Sequence, residues 1–271
     1  MIIFSERING MYRDVRGAIA DRNKQVVHEV LRAQLAGGAD VIDINLGPTK
    51  GDPVENFVWL ARTVHEMSDK PISLDSSKAN LLVEVVPKVR QALPQTKLVI
   101  NSCTAAPEYL QKLIPLAARC GTALIGLTMD QEGVPGNVEK RVECGAALVM
   151  AAIEAGISPE DVYLDPILLP ISVAPKQPTH AMEAIRQLAT VSDPPPRFII
   201  GLSNVSQKCP LHGLLNRTYL AMCLAAGLDA AIMDAADAEL VEAMITAEVL
   251  LGKMLYSDDY LKAWRMQKGL S

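Results

Sequence analysis

Residues 41–46 read Val-Ile-Asp-Ile-Asn-Leu, a short run in which two polar side chains stand at alternate positions. The apolar residues around them are typical of a strand buried between two layers, and Asp43 and Asn45 point to the same side of that strand. The segment before the run, Val26 to Leu35, instead carries apolar residues at helical spacing. A helical pattern next to a short buried strand is the unit from which we interpret the rest of the chain.

The same unit recurs along the sequence. Strict alternation of strands and helices is compatible with an open doubly wound sheet or with a closed barrel. Eight units in 271 residues favour the barrel, and neither GxGxxG nor GxxxxGK[ST] occurs to support an open sheet. We therefore predict an α/β fold, a (β/α)8 TIM barrel, as a single domain over residues 1–271. The eight predicted strands are Ile2 to Ser5, Val41 to Leu46, Pro71 to Leu74, Leu98 to Ile100, Ala123 to Leu127, Val162 to Leu164, Phe198 to Leu202 and Ala230 to Met233.

Composition excludes several classes of protein. A hydrophobic content of 49% in 271 residues is enough for a full core, which excludes a disordered chain. The net charge of -5 supplies no basic surface, so we expect neither nucleic acid nor an anionic membrane as a partner. No apolar run approaches the roughly 18 residues of a spanning helix, and the first residues are too short for a signal peptide. We expect a soluble, cytoplasmic protein.

The residues that usually bind metals are poorly placed for it. The five cysteines are widely spaced without a CxxC pair, so we expect neither a zinc ribbon nor an iron–sulfur cluster. None of the four histidines stands at a predicted strand end, where a barrel hydrolase would hold its metal. A Mg²⁺ site formed by Asp43, Asp75 and Asp165 stays open as an alternative without a ligand motif. We predict no metal of the chain's own.

Polar side chains gather where the predicted strands end. The carboxyl ends of barrel strands share one face, which carries the active site in enzymes of this fold. Each residue taken alone could instead cap a helix or close a turn, but so many together indicate a site. The residues on this face are Glu6, Arg7, Asn9, Asp43, Asn45, Asp75, Asn101, Thr128, Asp165, Ser203, Asn204 and Asp234.

The same set narrows the chemistry. No strand ends in Lys, which argues against a Schiff base, and Val205 stands where the GxSxG motif of serine hydrolases requires Gly. Carboxylates and carboxamides without a nucleophile suit the recognition of a flat heterocycle with adjacent N–H donors, such as a pterin.

Seven motifs resemble those of the pterin-binding barrels, the group that contains dihydropteroate synthase and the folate domain of cobalamin-dependent methionine synthase. More specifically, the sequence resembles the methyltetrahydrofolate:corrinoid/iron–sulfur protein methyltransferases of acetogenic bacteria over essentially its whole length. The most specific of the seven is Gly201 to Gln207. The others are Glu6 to Gly10, Ala39 to Asn45, Leu74 to Ser76, Val99 to Ser102, Leu124 to Met129 and Tyr163 to Pro166.

The resemblance implies a homodimeric barrel that passes the methyl group of methyltetrahydrofolate to the Co(I) of a corrinoid on a separate corrinoid/iron–sulfur protein, in the acetyl-CoA pathway. It implies that Asn204 faces the methyl-bearing nitrogen. As a hypothesis of our own, the proton for that nitrogen comes from solvent through a network that involves Asp43, Asp75 and Asn101. No DxHxxG motif of a cobalamin module occurs, so the corrinoid comes with the partner. After Gln207 the sequence reads Lys208-Cys209-Pro210, which departs from the motif of the family. The resemblance therefore does not define the contacts to the glutamate tail of folate. The implied substrate-binding residues are Asn9, Asn45, Asp75, Asn101, Asp165, Gly201, Ser203 and Gln207.

Two other functions stay open on the sequence alone. A dihydropteroate synthase-like enzyme would share the pterin pocket but must bind a diphosphate, for which this chain offers only the scattered Lys50, Lys208 and Arg217. A non-catalytic folate-binding protein would keep the pterin ligands but has no use for an Asn aimed at the methyl group.

Two segments depart from the regular pattern. The loop Asp165 to Pro178 carries several prolines among apolar residues, and either folds onto the barrel or presents an apolar surface to a partner protein. The helical stretches Tyr219 to Ala226 and Leu240 to Leu251 are apolar on nearly all sides, more than one flank of a barrel needs. We predict that they form the homodimer interface.

Overall fold

The structure is a computed structural model that describes residues 1–253, 261 and 265. In the described residues, eight parallel strands pair in chain order, and β1 pairs with both β2 and β8. The predicted (β/α)8 barrel is therefore confirmed, because an open sheet would leave β1 and β8 apart. The strands are β1 (Ile2–Asn9), β2 (Val41–Asn45), β3 (Ile72–Asp75), β4 (Leu98–Thr104), β5 (Ala123–Leu127), β6 (Val162–Asp165), β7 (Arg197–Gly201) and β8 (Ala230–Met233).

Helices cover the outside of the barrel. Short 3-10 turns over Pro159–Asp161 and Leu202–Ser206 precede β6 and follow β7. None of the described helices is long and apolar enough to cross a membrane. The predicted domain runs to residue 271, and its residues 254–260, 262–264 and 266–271 lie outside the described part. The helices are α1 (Arg13–Asp21), α2 (Lys24–Ala36), α3 (Pro53–His65), α4 (Ala79–Ala92), α5 (Pro107–Cys120), α6 (Val138–Glu154), α7 (Gln177–Leu188), α8 (His212–Ala226) and α9 (Ala238–Leu250).

Alternation along the strands separates two apolar layers. Ile42, Ile44 and Leu74 belong to the larger layer, between strands and helices, and are fully buried. Burial of such side chains is worth roughly 1.5–3 kcal/mol each. The smaller layer fills the lower half of the barrel and forms the floor beneath the polar strand ends. Its buried members are Phe4, Val41, Val99, Ile125, Tyr163, Ile199 and Ala230.

The predicted strand ends fall short where the strands turn polar. The predictions stop β1 at Ser5 and β4 at Ile100, whereas the strands continue to Asn9 and Thr104. After a shift in register between Ser5 and Ile8, the pairing of Asn9 with Asn45 shows that the backbone ladder resumes beyond Glu6 and Arg7. Backbone hydrogen bonds do not depend on side-chain polarity, so an apolar pattern ends before the strand does. The bounds of the other strands agree with the predictions to within one residue at each end.

The two unusual segments have mixed environments. In the β6–α7 loop, Leu168 is buried and Val173 is 75% exposed, so the loop largely folds onto the barrel. Helices α8 and α9 pack against each other, which uses much of their apolar surface within one chain. Met222 and Leu250 remain 45% and 81% exposed. The homodimer stays a prediction.

Candidate active site

Four predicted site residues lie side by side at the carboxyl ends of the first four strands. Asn9 is opposite Asn45, Asn45 is opposite Asp75, and Asp75 is opposite Asn101 in the registers of neighbouring strands. Since alternate residues of a strand share a face, the side chains of these four residues form a ring that points into the barrel above the apolar floor. The structure thus brings four of the predicted residues together on one half of the mouth.

Asp43 lies one level below this ring and is buried. Its Oδ1 accepts hydrogen bonds from Ser73 Oγ at 2.5 Å and Asn101 Nδ2 at 3.1 Å. Burial raises the pKa of Asp43 well above its ordinary value, and the neighbouring Asp75 raises it further, against the two hydrogen bonds. Both donors use Oδ1, so a proton on this carboxyl belongs on Oδ2.

Asn45 links the ring to the loop after β2. Its Nδ2 donates to Asp75 Oδ2 at 2.7 Å, and its Oδ1 accepts the Gly47 backbone N–H at 2.7 Å. Burial raises the pKa of Asp75, while the Asn45 bond lowers it. Asn9 makes a similar turn, with Oδ1 accepting the Met11 N–H at 2.9 Å. Asn9 and Asn45 therefore hold the rim of the mouth through their oxygens, besides any contact with substrate.

Asp165 stands alone on the opposite half of the mouth, at the end of β6. Its Oδ1 accepts the Ile167 backbone N–H at 2.7 Å, and the Gly201 backbone N–H also hydrogen-bonds the carboxyl. A carboxylate has about four acceptor sites, so acceptor capacity remains for another partner. Burial raises its pKa to about 7, against the backbone N–H groups of Ile167 and Gly201 and the charge of Arg141. The carboxyl therefore changes charge near neutral pH.

The turn after β7 places Asn204 against Gly201. A Cβ added to Gly201 would lie 2.9 Å from Asn204 Nδ2, so the absence of a side chain at 201 makes room for the carboxamide. Asn204 is exposed, and its side chain has no hydrogen-bond partner among the described residues. Gln207 is also exposed, at the end of the turn. Ser203 Oγ donates to Glu6 Oε2 at 3.1 Å, across the mouth to β1.

Three further residues belong to this site without having been assigned a role from the sequence. Glu6 stands at a predicted strand end, and burial raises its pKa despite the Ser203 bond. Ser73 lies in a predicted strand, at the register position opposite Asp43. Arg141 is on α6 and fully buried, and nothing in the helical pattern marks it.

The charge of the mouth is mainly acidic. In the part of the chain that the structure describes, no three His, Cys, Asp or Glu side chains are placed to hold a metal ion. Of the cations considered for a diphosphate, Arg217 pairs with Glu239, and Lys50 and Lys208 are exposed on separate loops. The mouth suits a ligand that presents hydrogen-bond donors better than one that presents phosphates.

A (β/α)8 barrel whose strand ends present carboxylates and carboxamides above an apolar floor is the arrangement expected of a pterin-binding barrel. The family model described as "Pterin binding enzyme" matches residues 14–239. The chain belongs to this family, and the family membership predicted from its motifs is confirmed.

Relatives of similar sequence are methyltransferases by name. A "Methylcorrinoid:tetrahydrofolate methyltransferase" of Eubacterium limosum is 27% identical over 277 residues, which cover 99% of this chain and 97% of the relative. A "Methionine synthase" of Mycobacterium leprae (strain TN) is 28% identical over 250 residues, covering 87% of this chain and 20% of that much longer protein.

Solved structures agree on the fold. Dihydropteroate synthase from Yersinia pestis superposes with a TM-score of 0.65 at 17% identity, covering 93% of both chains. The enzyme from Thermus thermophilus gives a TM-score of 0.63 at 19% identity, covering 92% of this chain and 94% of that one. At these identities the likeness concerns the barrel alone.

Proposed function

We propose that this chain is a methyltransferase that moves the methyl group of 5-methyltetrahydrofolate to the Co(I) corrinoid of a separate protein. The observation that carries the proposal is the mouth itself, where carboxyl groups suited to a pterin share one end of the barrel with Asn204, whose side chain has no hydrogen-bond partner among the described residues. The name of the E. limosum relative supports the same pair of substrates, with the methyl group moving from corrinoid to tetrahydrofolate. The two directions share one transition state, so one site serves both.

The carboxyl groups bind the pterin ring. An ionised Asp165 keeps acceptor sites beyond the backbone N–H groups of Ile167 and Gly201, and these can accept two adjacent N–H donors of the pterin edge. Asp75 and Asn101 lie on the opposite half of the mouth and contact the other edge of the ring. Gly201, Ser203 and Gln207 complete the pocket beside them, with Asn9 and Asn45 at its rim.

Asn204 acts on the reacting nitrogen. As the methyl carbon leaves nitrogen and bonds to cobalt(I), whose electron pair forms the new bond, the nitrogen keeps the pair of the broken bond and takes a proton. A carboxamide can donate to the nitrogen lone pair or, after rotation, accept from its protonated form. Such a preorganised contact stabilises the transition state more than the bound substrate.

In this proposal Asp43 supplies the proton to the reacting nitrogen. Burial and the neighbouring Asp75 raise the pKa of its carboxyl, which favours the protonated form, and Ser73 and Asn101 fix its orientation. The proton reaches the nitrogen through the polar ring formed by Asp75 and Asn101 or through water in the mouth.

The methyl acceptor is a corrinoid carried by a partner protein. The particular partner we propose is a corrinoid/iron–sulfur protein, and the particular pathway is the acetyl-CoA pathway of carbon fixation. The sequence motifs support both choices, and the name of the E. limosum relative supports a corrinoid more generally. We further propose that the enzyme works as a homodimer in the cytoplasm.

The alternative of a dihydropteroate synthase-like activity rests on the shared barrel. It is less well supported, because the mouth is mainly acidic, Arg217 is paired with Glu239, and Lys50 and Lys208 lie on separate loops. A binding protein without activity is tested by the same experiment as the methyltransferase.

The experiment mixes the purified protein with methyltetrahydrofolate and chemically reduced free cobalamin, and follows the absorbance of methylcobalamin. We expect methylcobalamin to form at a rate proportional to protein concentration, and methylcobalamin with tetrahydrofolate to react in reverse. Tight folate binding without methyl transfer in either direction would indicate a binding protein. Condensation of a pterin diphosphate with p-aminobenzoate would indicate the synthase instead.

A further inference from the structure

Arg141 is the largest fully buried side chain of the described residues. A buried guanidinium is usually paired with a carboxylate, because desolvation of an unpaired charge is unfavourable. Arg141 forms no ion pair in the part of the chain described, and its partners are two backbone carbonyls and one side-chain amide. Its position therefore calls for an explanation beyond packing.

The hydrogen bonds of Arg141 tie together both ends of the β6–α7 loop. Its Nε donates to the Pro166 carbonyl at 2.7 Å, at the start of the loop. An Nη2 hydrogen bond reaches the Gln177 Oε1, on the first residue of α7, and Nη1 donates to the Asn137 carbonyl at 3.2 Å. A single side chain thus closes the loop that forms one wall of the mouth.

The first turn of that loop is strained and faces Asp165. Ile167 has a φ of 61°, a left-handed conformation that a β-branched residue rarely adopts. In this conformation its N–H donates to Asp165 Oδ1 at 2.7 Å. The Pro166 carbonyl held by Arg141 belongs to the same peptide group as that N–H. Arg141 therefore fixes the peptide that orients the carboxyl.

The charges around Asp165 also single out Arg141. Arg141 on α6 and Tyr219 on α8 are the titratable groups that act on it, together with the backbone N–H groups of Ile167 and Gly201. Tyr219 donates to the Pro178 carbonyl at 2.8 Å, and burial raises its pKa, so it stays neutral. Arg141 is the cation of this set and favours the ionised carboxyl.

We propose that Arg141 is a positioning residue for the substrate: it holds the Pro166 peptide that orients the Asp165 carboxyl at the mouth, and its charge favours the anionic form that binds the pterin edge. The proposal rests on the proposed folate site. According to the proposal, a residue on α6, outside the mouth, controls the orientation and charge of Asp165, one of the pterin ligands.

The test measures methyltetrahydrofolate binding by calorimetry between pH 6 and 9 in the parent, R141Q and Y219F. We expect R141Q to bind about tenfold or more weakly at pH 7 and to recover at pH 9 the part of the loss that is due to charge, because Asp165 then ionises without help, whereas the part due to lost positioning remains at every pH. Y219F loses its bond to the Pro178 carbonyl, at the start of α7, without a change of charge, so its binding should keep the parent's pH profile. A loss in R141Q that is equal at every pH, or no loss, would overturn the proposal.

Two further measurements keep the proposal testable if R141Q folds poorly or folate fails to bind. R141K keeps the charge but cannot reach Pro166 and Gln177 together, so we expect weaker binding with an unchanged pH profile, and parental affinity would contradict the positioning role. If the parent binds no folate, the proposed function fails separately. Urea unfolding without ligand still measures the effect of the Arg141 charge on the ionisation of Asp165. It is carried out on R141Q, or on R141K if R141Q cannot be prepared. R141Q should continue to lose stability above pH 7, whereas R141K should follow the parent, and the reverse of either result would contradict the coupling.

Discussion

Replacing Asp165 by Asn should make the ligand-free protein more stable at alkaline pH while it weakens folate binding. Asp165 is buried, and its pKa of about 7 compares with 3.8 for an ordinary Asp. A carboxyl whose pKa is raised on folding stabilises the folded state below the unfolded value, and that stability is lost as pH rises through the folded value. Asp165→Asn removes the titration and keeps an oxygen for the Ile167 N–H.

The magnitude follows from the same two values. At about 1.36 kcal/mol for each pH unit, the full range corresponds to about 4 kcal/mol, and the part between pH 5 and pH 8 to roughly 2–3 kcal/mol. An amide facing the Gly201 N–H costs about 1 kcal/mol at every pH, which lowers the gain but not its pH dependence.

The assay is urea unfolding of the parent and Asp165→Asn at pH 5 and pH 8. The free energy of unfolding of the variant, relative to the parent, should be higher at pH 8 than at pH 5 by those 2–3 kcal/mol. Its affinity for methyltetrahydrofolate at pH 8 should fall roughly ten- to a hundredfold, the loss expected for a charge-assisted pair. Parallel stability curves for the two proteins would refute the reasoning, because they would show that Asp165 keeps one charge state throughout.

Three other changes probe separate parts of the site. Gly201→Ala is compatible with the backbone φ of -78° but displaces the Asn204 amide. Methyl transfer at saturating folate should therefore slow about tenfold or more, while the urea unfolding curve stays near the parent's. An unchanged rate would show that the position of Asn204 does not matter for the reaction. Asp43→Asn keeps the size of the side chain without its proton, and should lower the transfer rate about 10²-fold with a smaller effect on the folate dissociation constant measured by calorimetry. Light scattering should give twice the mass of the 271-residue chain, and charged substitutions at the exposed Met222 and Leu250 should halve it; a parent protein of monomer mass would contradict the dimer.

The sequence predicts the barrel because strands and helices differ in period. The outward residues of β2, such as Ile42 and Ile44, must be apolar to pack against the helices, so they appear as a pattern. The upper ends of β1 and β4 escape that pattern, because their inward side chains serve the mouth and are polar. These residues belong both to a strand and to the site. Because they are polar, a criterion based on hydrophobicity assigns them to loops.

Site residues on strands could be predicted for the same reason, and those reached through tertiary contacts could not. Asp43, Asp75 and Asn101 follow from period two and the common face of the strand ends. Arg141 contacts Pro166 across 25 positions of sequence, and no local pattern marks such a contact. The positive φ of Ile167 likewise depends on the surrounding loop, since the residue's own preference is against it.

The role of Asn204 is the central claim about the chemistry, and Asn204→Ala tests it most directly. Single-turnover transfer from saturating methyltetrahydrofolate to reduced cobalamin should slow by roughly 10²–10³, the usual loss for one preorganised transition-state hydrogen bond, while folate affinity changes much less. Ser206→Ala is the matched control, because its hydroxyl donates to the Ser203 carbonyl at 3.4 Å within the same turn. That control should lower stability by about 1 kcal/mol and transfer methyl at the parent rate. An Asn204→Ala protein that behaves like the control, melting early yet transferring methyl normally, would show that Asn204 only shapes the turn and would contradict the mechanism.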